Sequence, residues 1–465
     1  IEISVVINYR ICYTLYGGIC HTLIQKDIIN MYFGFLIFCY YLICYYFLFR
    51  VITWINRVLP HMTKELAREK HMRLIERRKR TLSGKKLIIL IIVWFIIVSI
   101  NMIAFFMPVG NRAEIYFHNF ANTLFGATLI MLFVIVIIDL LRLVIRIALR
   151  KEKRYRAILN NRRFIWGCAV VTFALGVIGS VYGLIHAHYI KDTYYDVTVY
   201  KDVELKETVS GKTDELKIVL VADQHLGTIM GADDIENMVE HINAMEPDLV
   251  CFAGDFFDNH FEDIDDPDRI IAAMNTITAP YGCYACMGNH DVDERLLSGF
   301  SAYSYTHALQ DPRFVKFLED CGVTVLQDEA YLIDDSFYLI GQKDYEKPGD
   351  GTRNRASIED LTEYLDQSLP IIDVNHEPRE LMRTANAGVD LHLSGHTHNG
   401  QFIPLSLGIN LVWENPFGVK EVTPGRYSIV TSGVGVYGPA FRIGTNAEVV
   451  CITVHFKSAG TEINN

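Results

Sequence analysis

The sequence predicts a helical transmembrane bundle followed by an α/β domain, and two observations carry that reading. Four apolar runs, near 31–56, 87–109, 119–141 and 165–187, each reach the length of roughly 20 residues that crosses a bilayer as a helix. From Leu216 onward, short β-branched runs alternate with stretches of helical periodicity, the pattern of α/β folds. A chain of 465 residues has room for both parts, and a composition that is 51% apolar fits membrane segments in one of them.

The charges divide the same way. Residues 1–164 carry 24 basic and 8 acidic side chains, a balance of +16, and the remainder carries 19 and 46, a balance of −27. A basic face is what nucleic acid requires, so an acidic C-terminal half argues against that partner. Runs such as Leu87–Ile100 are almost unbroken Leu, Ile and Val with no polar stripe, which a helix of a globular core would show. Between the spans, Arg57–Lys86 holds 11 basic and 3 acidic residues and Arg142–Phe164 holds 9 and 1. By the positive-inside rule both loops are cytoplasmic, so everything after about residue 188 is expected outside. Residues 1–30 have no signal-peptide pattern and are read as an N-terminal extension. Met31 opens the first apolar run, so either it is the start or Ile1 marks a fragment. Residues 188–215, largely polar, are read as a linker.

In the C-terminal part, Lys217–Ala222 is a strand ending in Asp223-Gln224-His225, and Ala232–Met245 is a helix. Cys251-Phe252-Ala253 runs into Gly254-Asp255-Phe256-Phe257-Asp258, two carboxylates at the mouth of a strand, where a positive charge must compensate them. Pro267–Ile277 is a helix. Gly282–Met287 is a strand delivering Gly288-Asn289-His290-Asp291. Ser357-Ile358-Glu359-Asp360 has capping-box spacing. Ile371–Asn375 ends at His376, and Val389–Leu393 ends in Ser394-Gly395-His396-Thr397-His398. Five strands thus each end in Asp, Asn or His, and ligand sites of open α/β sheets collect at those ends. Carboxylate and imidazole without thiolate suit divalent metals of hard to borderline character. A lone Asp-x-His or His-x-His arises by chance; five in order do not. Cys283 and Cys286 form a C-x-x-C, but three residues apart on a strand they point to opposite faces and are read as packing.

Asp223-x-His225, Gly254-Asp255-x-x-Asp258, Gly288-Asn289-His290-Asp291, His376 and Gly395-His396-x-His398 together resemble the ordered motif set of the calcineurin-like metallophosphoesterases, in particular their membrane-tethered branch. The resemblance covers about 214–456 and implies a four-layer α/β/β/α sandwich over 216–465; the apolar runs, which lie outside the resemblance, mark 31–187 as the membrane domain. It further implies two divalent ions. One would be held by Asp223, His225, Asp255 and His398, the other by Asp255, Asn289, His376 and His396, with Asp255 as the bridge. His290 would face the substrate phosphate as the catalytic side chain, and Asp258 and Asp291 would orient ligands. Such an ion pair clamps a phosphoryl group and lowers the pKa of a bridging water, supplying hydroxide near neutral pH.

The expected function is hydrolysis of a phosphodiester or pyrophosphate by a membrane-anchored enzyme, with a lipid-linked or envelope substrate and the bilayer as partners. The alternatives are a phosphomonoesterase or protein phosphatase, and a membrane sensor or scaffold with a structural metal site. A transporter is disfavoured because Asp139 is the main charge in the spans. Val292–Arg313 is a long insert and a candidate cap. Arg353 and Arg355 are read as solvated, and Arg442, in the site-proximal tail, is a substrate-contact candidate.

Overall fold

The computed structural model describes residues 40–55, 84–107, 112–152, 154, 158–227, 229–258, 260–293, 296–297, 300–301 and 308–458. The extension 1–30, nearly all of the basic loop 57–86 and the middle of the insert after Val292 lie outside the described residues.

Among the described residues, three helices are long and apolar enough to cross a membrane: Leu87–Ala104 within α2 (Gly84–Phe106), most of α3 (Arg112–Ala148), and α4 (Arg162–Ala187). The first of the four expected spans is described only as the shorter helix α1 (Tyr40–Ile55). The described residues divide into two compact units, one made of those within 1–100 and 134–173 and the other of the remainder. In the first unit, α1 packs on α2 through stacked Phe47 and Trp94 rings 4.8 Å apart. Asp139 is ion-paired to Arg50 and accepts a bond of 2.9 Å from the Tyr46 hydroxyl. A carboxylate among apolar helices is retained where partners compensate it.

The second unit holds the α/β part. Its strands are β1 (Ile190–Val199), β2 (Glu215–Val221), β3 (Leu249–Ala253), β4 (Cys283–Cys286), a small hairpin of β5 (Leu296–Leu297) and β6 (Phe300–Ser301), β7 (Val323–Val325), β8 (Glu329–Ile333), β9 (Phe337–Gly341), β10 (Ile371–Val374), β11 (Leu391–Ser394), β12 (Gly418–Thr423), β13 (Arg426–Val430) and β14 (Ala447–Phe456). They form two six-stranded sheets, β1-β14-β2-β3-β4-β7 and β12-β13-β11-β10-β9-β8. Strands β2, β3, β4 and β7 are parallel, as are β13, β11, β10 and β9, so their C-terminal ends fall on one edge.

Residues alternate between faces along each strand, and the two faces explain the layers. Leu216, Ile218 and Leu220 meet Ile372, Val374, Leu391 and Leu393 in the core between the sheets. On the outer face of the first sheet, Val219 and Val250 pack on α5 (Ala232–Ala244), α6 (Pro267–Met274) and α7 (Pro312–Asp320). On the outer face of the second, Ile340 and Ile371 pack on Ile358 of α8 (Ile358–Thr362), near α9 (Leu381–Asn386). This is the four-layer α/β/β/α arrangement. Ser357 and Asp360 cap α8 reciprocally, as their spacing predicted. Cys283 packs in the outer core and Cys286 in the inner one, both as free thiols.

The segment read as a linker is corrected by the structure. Residues 190–199 form β1, paired in parallel with β14 along ten positions at the sheet edge. Its polar residues Lys191, Asp192 and Asp196 occur because an edge strand wets part of its surface, which makes it look like a connector.

Candidate metal centre

Each motif sits where a parallel strand ends. β2 delivers Asp223 and His225, β3 delivers Asp255, and β4 delivers Asn289 and His290. From the second sheet, β10 delivers His376 and β11 delivers His396 and His398. Asp223, His225, Asp255, His396 and His398 all have positive φ, between 47° and 67°. Non-glycine residues adopt that region at a cost, and it persists where the surroundings over-determine it, typically at functional sites. The turns also approach closely. A Cβ on Gly288 would lie 2.5 Å from the backbone nitrogen of Asp255, so the turn after β4 reaches its neighbour only with glycine there.

The side chains converge into two groups, Asp223–His225–His398 and Asp255–His376–His396. His225 Nε2 lies 3.1 Å from His398 Nε2, and His376 Nε2 lies 3.0 Å from His396 Nδ1. Asn289 Oδ1 faces both His376 Nε2 at 3.0 Å and His396 Nδ1 at 2.8 Å. Asp255 Oδ2 stands between the groups, 3.1 Å from His376 Nε2 and 3.8 Å from His225 Nε2. His376 Nδ1 faces the Ala253 carbonyl oxygen at 2.8 Å, so the Nδ1–H donates there and Nε2 is aimed into the cluster.

The donor set fits divalent cations. Lone pairs of buried imidazoles and carboxylates meet nitrogen to nitrogen and oxygen, an arrangement that is repulsive without a positive charge among them. Burial pushes His396 and His398 well below the ordinary imidazole value, into the neutral form that coordinates metal. Burial opposes ionisation of Asp255, but the neighbouring His376 and His290 hold it well below the usual carboxylate range. His376 runs the other way: burial would lower it, yet Asp255 raises it well above, marking Nε2 as the place where a positive charge belongs. Burial pushes Asp223 up to about 6.

Around this centre, Asp258 Oδ1 lies 3.6 Å from His225 Nδ1, on the ring side away from the cluster. Asp291 accepts three backbone bonds, from Gly288 at 2.7 Å, Phe257 at 2.9 Å and Asp255 at 3.0 Å, and so ties the two turns together. Burial raises it to about 7. The His290 backbone N–H donates to Asp255 Oδ1 at 2.7 Å, and burial lowers its imidazole to about 3. Arg442, a substrate-contact candidate by sequence, is fully buried. Its guanidinium donates to the carbonyls of Ser432 (2.6 Å), Gly433 (3.0 Å), Gly435 (2.7 Å) and Asn446 (2.9 Å), and Nη2 lies 3.4 Å from His398 Nδ1. That arrangement braces the tail behind a ligand, with the donors turned inward. Burial lowers its pKa to about 10, which leaves it charged at neutral pH. Arg355 lies over the Tyr345 ring, 5.6 Å from its centroid.

Two neighbours escaped the sequence reading. Tyr437 places its ring 4.8 Å from that of His398, 5.7 Å from His225 and 6.0 Å from His290. Trp413 meets His396 edge-on at 5.0 Å, with the Arg379 guanidinium 4.5 Å over its ring. Neither belongs to a strand-end motif. The only sequence signal was an aromatic residue in a Gly-rich or apolar loop.

The sequence model of the calcineurin-like phosphoesterase family matches residues 216–400, which contain all of these candidate ligands. An uncharacterized metallophosphoesterase of Aquifex aeolicus (strain VF5) is 31% identical over 247 residues, 53% of this chain and 87% of that one. The chain belongs to the calcineurin-like metallophosphoesterase family. It is accordingly a phosphoric ester hydrolase by kinship, carrying apolar helices that the family model does not cover. A transmembrane protein with metallophosphoesterase domain from Bos taurus is 29% identical over 242 residues, 51% of this metallophosphoesterase and 52% of the bovine protein. The metallophosphoesterase YkuE of Bacillus subtilis (strain 168), uncharacterized, is 27% identical over 308 residues, 64% of this chain and 98% of that one.

Proposed function

We propose that this metallophosphoesterase is a membrane-anchored phosphohydrolase that holds two divalent ions and cleaves a phosphodiester or pyrophosphate, with a lipid-linked or envelope substrate. The carrying observation is Asp255, whose Oδ2 stands within 3.1 and 3.8 Å of a histidine from each ligand group. Asp223, His225, His398 and Asp255 would hold one ion, and Asp255, Asn289, His376 and His396 the other. When bound, the ions would supply Lewis-acid polarisation of the phosphoryl oxygens and a water of lowered pKa.

The chain's own residues do the rest. His376, fixed through Nδ1 to the Ala253 carbonyl, holds its donor nitrogen at one orientation. Asp258 orients His225 from behind, and Asp291 locks the turns of β3 and β4 so that Asp255 and Asn289 keep their spacing. His290 sits beside the ligands and is assigned as the hydrogen-bond donor to the phosphoryl or leaving oxygen.

The test is His290→Ala in the full chain. Loss of hydrolysis of an aryl phosphodiester with metal content retained supports the assignment. Full retention of hydrolysis refutes the role of His290, and an active-metal wild type that hydrolyses no phosphate ester favours the sensor or scaffold reading. The outward placement of the domain rests on the charge of the loops. A carboxy-terminal reporter active only in the cytoplasm overturns it.

A further inference from the structure

Four residues after His398 begins a stretch, Phe402-Ile-Pro-Leu-Ser-Leu-Gly-Ile-Asn-Leu-Val-Trp413, without a single charged residue. It folds into two short turns, Leu405–Leu407 and Ile409–Leu411, that present its apolar side chains outward. Leu405, Leu407, Leu411 and Val412 are 45%, 68%, 91% and 73% exposed. Surface loops ordinarily present polar residues, and a row of large aliphatic side chains marks a contact with something apolar.

The loop's two ends show what that is. At its root, Phe402 is buried against Phe441, with ring centroids 5.2 Å apart, and against Ile130 of α3. α3 has 37 residues, so it is about 55 Å long against a hydrocarbon thickness of about 30 Å. Polar residues at its start, among them Arg112, Glu114, His118, Asn119 and Asn122, precede an uncharged stretch from Leu124 to Ile138, and Asp139, Arg142 and Arg146 follow it, so Ile130 lies in the part that belongs to the bilayer. Phe441 and its neighbours also seat on α4. The Arg442 N–H donates to the Gly183 carbonyl at 3.1 Å, and a Cβ on Gly183 would lie 2.6 Å from Phe441 Cβ. A Cβ on Gly126 of α3 would lie 2.7 Å from Pro439 Cβ. Glycine on both helices therefore makes the notch that receives the tail. Exposed Tyr182 and Tyr189, at the end of α4 and just beyond it, are the residues that settle at a membrane surface. At the loop's other end, Trp413 rests on the candidate ligand His396.

We propose that residues 404–413 form an apolar lip embedded in the lipid leaflet, and that the centre takes the phosphate of a membrane lipid presented in place. The lip leaves from a residue packed on a helix that the bilayer covers, so the same leaflet covers the lip. Its far end reaches the ligands, so a lipid whose acyl chains pass the lip brings its phosphate to the ions without leaving the membrane. The substrate part of this proposal rests on the phosphohydrolase reading above.

The test uses the full chain reconstituted in phosphatidylglycerol vesicles containing brominated phosphatidylcholine, with a diacylglycerol pyrophosphate and the vesicle phosphodiester as lipid substrates. Leu411→Trp adds a fluorophore at the tip, and the fluorescence it adds over wild type is expected to fall by about half with brominated lipid. Joint Leu407→Glu and Leu411→Glu substitution, at exposed positions that touch no ligand, is expected to lower hydrolysis of lipid phosphate about tenfold or more while leaving a soluble aryl phosphodiester in detergent within about twofold. Unquenched fluorescence at position 411, as when a protein rather than lipid covers the lip, overturns the lip. A wild type that cleaves the soluble diester and no lipid phosphate, or a doubly charged lip that leaves lipid turnover unchanged, overturns the lipid substrate. A wild type that cleaves neither class refutes the phosphohydrolase reading instead, and quenching then decides the lip alone.

Discussion

Arg442→Met is the substitution that best separates bracing from substrate binding. Methionine has a similar length and no polar hydrogen, so it removes the four donations to Ser432, Gly433, Gly435 and Asn446 while filling much of the space. Gly433 and Asn446 keep second donors, the Glu448 N–H at 3.0 Å and the Ser432 hydroxyl at 2.7 Å, so only the Ser432 and Gly435 carbonyls are stripped, at about 1–2 kcal/mol each, for a ceiling of about 2–4 kcal/mol. Losing a desolvated guanidinium offsets part of that, leaving a destabilisation of about 1–3 kcal/mol. The effect reaches the site because Arg442 Nη2 lies 3.4 Å from His398 Nδ1 and the same tail carries Tyr437. Thermal unfolding of the full chain in detergent, followed by circular dichroism, reads the stability, and metal content and aryl phosphodiester turnover read the site. The expected result is a lower unfolding midpoint with a metal content below that of wild type. An unchanged midpoint and metal content combined with a raised KM would refute the reasoning and return Arg442 to the role of a substrate contact.

Asp258→Asn removes the charge that faces His225 Nδ1 at 3.6 Å and is expected to weaken metal affinity about 10- to 100-fold with little change in fold, measured by competition with a chelator. Gly126→Val drives a side chain into the notch occupied by Pro439 and Phe441 and is expected to cost about 1–3 kcal/mol, visible as a lower unfolding midpoint that Phe441→Ala partly restores. The His188 Nδ1–H donates a 2.5 Å bond to Asp234 Oδ1, and that bond raises the His188 pKa above its ordinary value. A raised folded-state pKa stabilises fully below the unfolded value and is lost as pH climbs through the folded one. Because the side chain is 45% exposed, His188→Gln is expected to cost no more than about 0.5 kcal/mol, present at pH 5.5 and absent at pH 9.

The sequence by itself determined the candidate ligand types and the α/β character of the C-terminal part, and the family resemblance supplied the layers. A strand followed by Asp, Asn or His is a local pattern, and parallel α/β sheets always bring such ends to one edge, so Asp223, Asp255, Asn289, His376, His396 and His398 were legible before any pairing was known. The apolar helices were legible for a similar reason, since hydropathy over one span needs no partner. The family resemblance separated the roles of Asp255 and Asp258, and the tertiary structure shows the physical difference between their positions. Asp255 and Asp258 are three residues apart on one turn, and it is the arrival of His376 and His225 from elsewhere that places one between the ligand groups and the other behind a ring. It also turned a polar stretch into β1, because an edge strand is recognised by its neighbour β14, more than 250 positions away in sequence. It took Arg442 from a substrate-contact candidate to a buried brace, and it packed Phe402, at the root of the uncharged loop, with Ile130 of the apolar helix α3. The physical reason is common to these cases: periodicity and residue chemistry act within a few residues, whereas burial, charge compensation and docking depend on contacts between segments that no local pattern specifies.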